Sequence, residues 1–451
     1  MNAPLAMPLR TPPSLPGSRP LVGVLGQLQH DPLEVMERAT LQYGPLTHLP
    51  LPTLEGYVVG HPSLVQHVLV TNVKNYVKQT RGYDMLRLVL GNGLVTSDGA
   101  FWKRQRRIAQ PAFHRERLAG FGEVMTRAAS EMVATWELGK PFDFAAEMMR
   151  CTLRIVGETL LSADVTKQAD HVGAALTVLL EHLIHRTLHP LSAPEWLPTP
   201  ANLRFKRALE DLDGVVLGLI AERRKGGGPK NDLLAMLMES TDPETGEGMS
   251  DEQLRDEVMT LFLAGHETTA NNLAWTMMLL GRAPEVEQKM VAEARGVLGA
   301  SLPTMADVHR LPYAMNVIKE SLRLYPPVWT LGRKALEDDL VEGYLIPKDA
   351  LVFISPWAIH RLPEFWSDPL AFDPDRWLTE DPRRAHGSYL PFSMGQRKCI
   401  GDAFATVEAQ LILTTVMQQV HLSLVPGQTF EPEPVITLRP RGGVHVVATK
   451  R

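Results

Sequence analysis

The chain has 451 residues, a net charge of −5 at neutral pH, 44% hydrophobic and 22% charged residues. That balance gives ample apolar material for a large core, and the small acidic excess excludes a nucleic-acid binder built on a basic surface. Two cysteines, Cys151 and Cys399, exclude a disulfide framework and point to a reducing, cytoplasmic setting.

Residues 1–20 are Pro-rich and carry neither a charged stretch followed by an apolar one nor a run of about 20 apolar residues. No export signal and no membrane anchor are therefore expected there. The runs Gly56-Tyr57-Val58-Val59-Gly60 and His61-Pro62, within residues 50–70, suggest a small sheet. From about residue 100 to 330, amphipathic segments of helical length dominate, broken by Pro and Gly. Lys225-Gly226-Gly227-Gly228-Pro229 reads as a surface turn between two of these helices, since helical patterning resumes after it.

Ser250 and Gln253 form a capping box, and no proline follows until Pro284. A helix is predicted over 251–282, about 45–50 Å long at 1.5 Å per residue. Its middle is apolar on most faces, yet its centre holds Gly265, His266, Glu267, Thr268 and Thr269. Polar groups in a buried helix are costly unless they have partners or a task. Past Pro326, residues 344–347, 351–354 and 435–438 read as short strands, and helix returns after Gly401. The expectation is one mainly α-helical domain over residues 1–451 with a small β-rich lobe.

The segment Pro391-Phe392-Ser393-Met394-Gly395-Gln396-Arg397-Lys398-Cys399-Ile400-Gly401 carries the chemistry. Glycines on both sides of Cys399 let backbone amides approach a sulfur. A following helix start, with Arg397 and Lys398, favours thiolate over thiol. Phe392 can shield one side. A lone cysteine is more often a small buried apolar residue, but this flanking pattern argues otherwise.

The pattern F-x-x-G-x-R-x-C-x-G, filled by Phe392, Gly395, Arg397, Cys399 and Gly401, resembles the haem-binding loop of the cytochrome P-450 family. Four further segments agree in order. Glu320 and Arg323 are similar to the family's E-x-x-R, and their i, i+3 spacing lets them pair on a helix. Phe372-Asp373-Pro374-Asp375-Arg376-Trp377 resembles its P-x-R-F segment, with Trp377 in place of Phe. Ala264-Gly265-His266-Glu267-Thr268-Thr269 resembles its oxygen-activation motif. Trp102 and Arg106 resemble the W-x-x-x-R of a helix that holds a haem propionate.

The resemblance implies a cytochrome P-450 fold, with the long helix crossing a haem b (protoporphyrin IX iron) and Cys399 as the metal ligand. It implies a charge triad of Glu320, Arg323 and Arg376, and propionate contacts from Trp102, Arg106, Arg333 and Arg397. Ala264 and Gly265 would leave room for a ligand beside the helix. Thr268 and Glu267 would manage protons, since cleaving an O–O bond requires their delivery. The implied activity is monooxygenation: hydroxylation or epoxidation of an apolar fatty acid, terpenoid or steroid-like molecule.

Only 52 residues follow Cys399, so no fused reductase is expected. Electrons would come from a separate ferredoxin or flavodoxin and its reductase, and the protein would be a cytoplasmic monomer like the soluble bacterial members. The alternatives weighed are a peroxide-driven peroxygenase and, from another class, a haem gas sensor or ligand carrier. Glu267 and Thr268 argue against both.

By family analogy the substrate would meet the 77–95 loop, helices near 175–220, and residues 256–268, 328–332 and 435–439. Lys103, Arg104, Arg107, Arg115, Arg117 and Lys398 are candidates for docking an acidic electron-transfer protein. His182, His185 and His189 lie at helical spacing, but no carboxylate or cysteine completes a metal set.

Overall fold

The computed structural model describes residues 9–160, 162, 169–189, 191–226, 232–242 and 244–451. Residues 1–8 of the Pro-rich start, and Gly227, Gly228 and Pro229 of the expected turn, lie outside them. The fold divides into two compact units: residues up to 84 with 328–371 and 380–399, and residues 85–327 with 372–379 and 400–451.

The first unit is built on a five-stranded mixed sheet. Its strands are β1 (Leu46–Pro50), β2 (Glu55–Val59), β3 (Tyr76–Val77), β4 (Leu331–Ala335) and β5 (Leu351–Ile354), in the order β1-β2-β5-β4-β3. β1 and β2 form an antiparallel hairpin with Leu46 opposite Val59, and β5 runs parallel to β2 with Phe353 opposite Val58. Leu46, Val59, Val352 and Ile354 close a core with Leu64 and Val68. The sheet thus starts earlier than the 50–70 pattern suggested. Pro62 takes a first-turn position behind a His61 cap, and the chain turns helical from there.

Helices dominate the second unit. Those that matter below are α1 (Gly99–Ala109), α2 (Phe144–Leu160), α3 (Ala169–Leu188), α4 (Pro200–Arg224), α5 (Asp251–Leu280), α6 (Pro312–Leu324) and α7 (Asp402–Gln419). The region read as a 77–95 loop contains a helix of its own, Arg81–Leu90.

α5 starts at a two-way capping box: Gln253 N–H donates to Ser250 Oγ at 3.2 Å, and Ser250 N–H to Gln253 Oε1 at 3.0 Å. Asp251 and Glu252 stand at the positive end of the helix. The helix ends at Leu280, two residues short of the predicted 282, where Gly281 caps it. Its buried residues point all round, from Leu254 and Phe262 to Trp275 and Met278, as a helix packed on every side requires. Among the described residues, no helix is long and apolar enough to cross a membrane.

Of the expected 435–438 strand only Leu438 lies in a strand, and the 435–437 stretch does not. It is the bend between β6 (Pro432–Pro434) and β7 (Leu438–Pro440), closed by Val435 N–H donating to the Thr437 carbonyl at 3.2 Å. Pro432, Pro434 and Pro440 lack the N–H groups that would extend a ladder, so the apolar run turns over. The bend is held against α5, whose Trp275 Nε1 donates to the Leu438 carbonyl at 3.0 Å.

Candidate active site

At the middle of α5 each polar residue finds a distinct partner. Thr268 donates its hydroxyl to the Ala264 carbonyl at 2.7 Å, and Thr269 to that of Gly265 at 3.4 Å. Both follow the ordinary i−4 habit of threonine in a helix. His266 is buried, with Nδ1 at 2.8 Å from the Phe262 carbonyl. Burial lowers its pKa to about 4, so the ring is neutral at physiological pH.

Gly265 sits close to a neighbouring helix. A Cβ there would stand 3.0 Å from Val156 Cγ2 on α2. The glycine therefore permits the close approach of α5 and α2. Ala264 and Thr268 are half-buried.

Glu267 is 3% exposed. Its Oε1 accepts the Thr437 hydroxyl at 2.6 Å, and Thr437 in turn accepts Asn271 Nδ2 at 3.0 Å. Its other oxygen, Oε2, is buried with no hydrogen-bond partner among the described residues. Burial pushes the Glu267 pKa up to about 7, held back by the Thr437 hydrogen bond and the positive field of Arg439.

On α6, Glu320 is wholly buried and heavily solvated by protein. Oε1 accepts Arg323 Nη2 (2.8 Å), Arg376 Nε (2.8 Å) and the Asp373 N–H (3.2 Å). Oε2 accepts Arg323 Nε (3.0 Å) and Trp377 Nε1 (3.0 Å). A buried carboxylate needs such saturation, because its charge is otherwise prohibitive to desolvate.

Trp102 is buried on α1 and Arg106, four residues on, is half-buried on the same side. Arg104 and Arg107 do not form a free basic patch. Arg107 Nη2 lies 3.1 Å from both Asp242 carboxylate oxygens and 3.0 Å from Glu244 Oε2, while Arg104 Nη2 donates to the Gly248 carbonyl at 2.8 Å. They pin the 242–248 segment that precedes α5. Lys103 is exposed. The side chains of Arg115 and Arg117 lie outside the described set.

In the first unit the Cys399 loop is set by its backbone. Cys399 N–H donates to the Phe392 carbonyl at 2.9 Å, closing a turn in which Gly395 adopts φ +69°. A Cβ at Gly395 would fall 2.3 Å from the Leu69 carbonyl oxygen, so only glycine fits. Cys399 is exposed, whereas Cys151 is buried on α2 with its thiol pKa driven far up, chiefly by burial. Arg397 is half-buried beside it in sequence.

Arg333 on β4 is 2% exposed, yet its hydrogen bonds go only to neutral oxygens, the Gly332 carbonyl (2.7 Å) and the Tyr83 hydroxyl (3.4 Å). Among the described residues it has no carboxylate partner. A buried guanidinium without an anion is costly. A haem propionate is an anion of the required kind, and an accessible thiol is the required iron donor, so these residues fit the group.

His182 stacks on Phe205 and His185 on His189, with centroids 4.4 and 4.2 Å apart. No group of three or more potential ligands among the described residues could hold a metal ion. Sequence reasoning placed Thr437 only within the 435–439 stretch expected to meet substrate and missed Asn271; neither carries a motif. It also missed Glu408, a carboxyl among the buried residues of α7. Glu408 is wholly buried, its carboxyl oxygens have no hydrogen-bond partner among the described residues, and burial raises its pKa well above normal.

The family model for cytochrome P450 matches residues 12–446. The chain is 38% identical to cyclooctatin synthase of Streptomyces melanosporofaciens, over 94% of this chain and 92% of that protein. It is 37% identical to cyclooctat-9-en-7-ol 5-monooxygenase of the same organism, over 92% and 90%, and 35% identical to pentalenene oxygenase of Streptomyces avermitilis, over 94% of each. The fold matches the crystal structure of the cytochrome P450DA heme domain with a TM-score of 0.90 at 31% identity, covering 99% of both chains.

Proposed function

The chain belongs to the cytochrome P450 family and is a haem-thiolate monooxygenase, and from that premise we propose that it oxygenates an apolar, terpenoid-like hydrocarbon. Two relatives are named for acting on cyclooctat-9-en-7-ol and pentalenene, names that denote unsaturated hydrocarbon skeletons. Electrons come from a separate ferredoxin or flavodoxin and its reductase.

Cys399 would hold the haem iron through its thiolate, supported by its exposed thiol and the glycine-dependent turn around it. Arg333, with Arg397, Trp102 and Arg106, holds the propionates, supported by the unmatched charge of the buried Arg333. The bound haem supplies the oxygen activation and atom transfer, which no side chain here performs.

What the protein adds is proton control. The single observation that carries this reading is Glu267 beside Thr268 at the centre of an apolar, buried helix. Thr268 has its hydrogen on Ala264, so it meets an active-site group as an acceptor through its oxygen. Glu267 titrates near neutrality and can both hold and release a proton there.

The test is spectroscopic. The reduced protein under carbon monoxide gives the strongly red-shifted Soret band of a thiolate-bound haem, and Cys399→His abolishes it. A library of fatty acids, terpenoids and steroids is then titrated for Soret shifts. Turnover with peroxide alone, and none with dioxygen plus a reductase pair, overturns the monooxygenase reading in favour of a peroxygenase.

A further inference from the structure

Glu267, Asn271 and Trp275 lie at i, i+4 and i+8, one stripe of α5, and all three engage the same bend of the C-terminal hairpin. Glu267 and Asn271 meet the Thr437 side chain, and Trp275 meets the Leu438 carbonyl. Leu438 N–H is fixed as well, donating to the Pro327 carbonyl at 2.8 Å. The Thr437 hydroxyl is thus delivered to Glu267 by a backbone with little freedom.

The polarity of this chain of bonds is set by chemistry. Asn271 Nδ2 can only donate, so Thr437 Oγ1 accepts from it and spends its own hydrogen on Glu267 Oε1. The two oxygens of the carboxyl are therefore not equivalent. Oε1 is anchored, and Oε2 is buried and unpartnered.

We infer that Thr437 is a positioning residue for Glu267, clamping Oε1 so that Oε2 is the oxygen that takes up and gives back the proton. The inference rests on the proposed role of Glu267 as a proton carrier. The cycle balances without redox change at the carboxyl: the proton leaves Oε2 for an acceptor in the site and is replaced from water.

Other groups on the elements packed around this part of α5 leave Thr437 as the chief local control. His266 stays neutral, with its pKa near 4. Burial favours the protonated forms of Cys151 on α2 and Glu408 on α7, and Glu320 on α6 is committed to Arg323 and Arg376. The remaining charged influence is Arg439 on β7, which holds Glu433 at 2.6 Å and Glu181 of α3 at 3.1 Å.

The experiment compares wild type, Thr437→Val, Thr437→Ser and Glu267→Gln as haem-loaded enzymes. Infrared difference spectra over pH 5–9 follow the protonated-carboxyl band that Glu267→Gln removes, and product formed per electron pair is measured across the same range. The expected result for Thr437→Val is a carboxyl midpoint raised by one pH unit or more, a tenfold loss of proton acidity, with the coupling profile displaced the same way. Thr437→Ser restores both. An unmoved midpoint and profile in Thr437→Val, with Glu267→Gln still uncoupled, overturns the role of Thr437 alone. Normal coupling in Glu267→Gln overturns the proton-carrier reading beneath it.

Discussion

The indole Nε1 of Trp377 donates to Glu320 Oε2 at 3.0 Å. The family pattern has Phe at this position, which brings no donor, so this chain adds a hydrogen bond to its most heavily engaged carboxylate. Trp377→Phe keeps the ring and removes the donor. Hydrogen bonds to charged groups contribute about 1.5–3 kcal/mol, and the loss here falls in a buried network. The variant is expected to melt at lower temperature and to convert faster to a form with an unshifted carbonyl band on mild heating. A melting curve superimposed on wild type would mean that water or another group takes over Oε2.

How much of this was legible in the sequence depends on the range of the physics involved. The Ser250–Gln253 box is a four-residue device, and it placed the start of α5 correctly. The i, i+3 spacing of Glu320 and Arg323 is equally local. The 435–438 run failed at 435–437 because its apolar pattern was weighed without the flanking prolines that end the ladder, and the α5 side chains that hold the bend lie some 160 residues earlier. The packing role of Gly265 was hidden for a related reason. Its smallness is visible in the sequence, but the neighbour that needs the space, Val156, is not. Arg104 and Arg107 looked like a docking patch because their acidic partners lie more than 130 residues away in the chain.

Those arginines give a prediction that separates docking from structure. Arg107→Glu sets a negative charge against Asp242, which is 1% exposed. It should lower the melting temperature and loosen the segment before α5, as read by limited proteolysis. Lys103→Glu lies on the same helix at an exposed position and should leave the melting temperature unchanged. If α1 does receive an acidic electron donor, Lys103→Glu slows reduction and flattens its salt dependence. Equal melting temperatures for the two variants would contradict the clamp on Asp242.

Arg333 provides a second test, one of cofactor affinity. Its guanidinium is buried without a carboxylate among the described residues, so the apo protein bears the cost of that charge and haem binding relieves it. Arg333→Met removes the charge at similar volume. The apo form is expected to become more stable, and the loaded form to lose haem faster to a scavenging apo-globin. If Arg333 served only to brace β4, both forms would instead be destabilised together.

Glu408 carries the clearest pH signature. Its folded pKa is raised by burial, so between about pH 5 and that raised value the native state keeps a proton that the unfolded chain has lost. Stability must then fall as pH rises, by about 1.4 kcal/mol per unit for one proton. Glu408→Gln keeps the shape and abolishes this dependence. Relative to wild type, the variant should gain stability as pH rises above the ordinary carboxyl range, read by urea unfolding of the loaded enzyme. Parallel pH dependences for the two proteins would mean that Glu408 is ionised inside the fold. Its buried oxygens would then need a cationic or hydrogen-bonding partner to hold the charge.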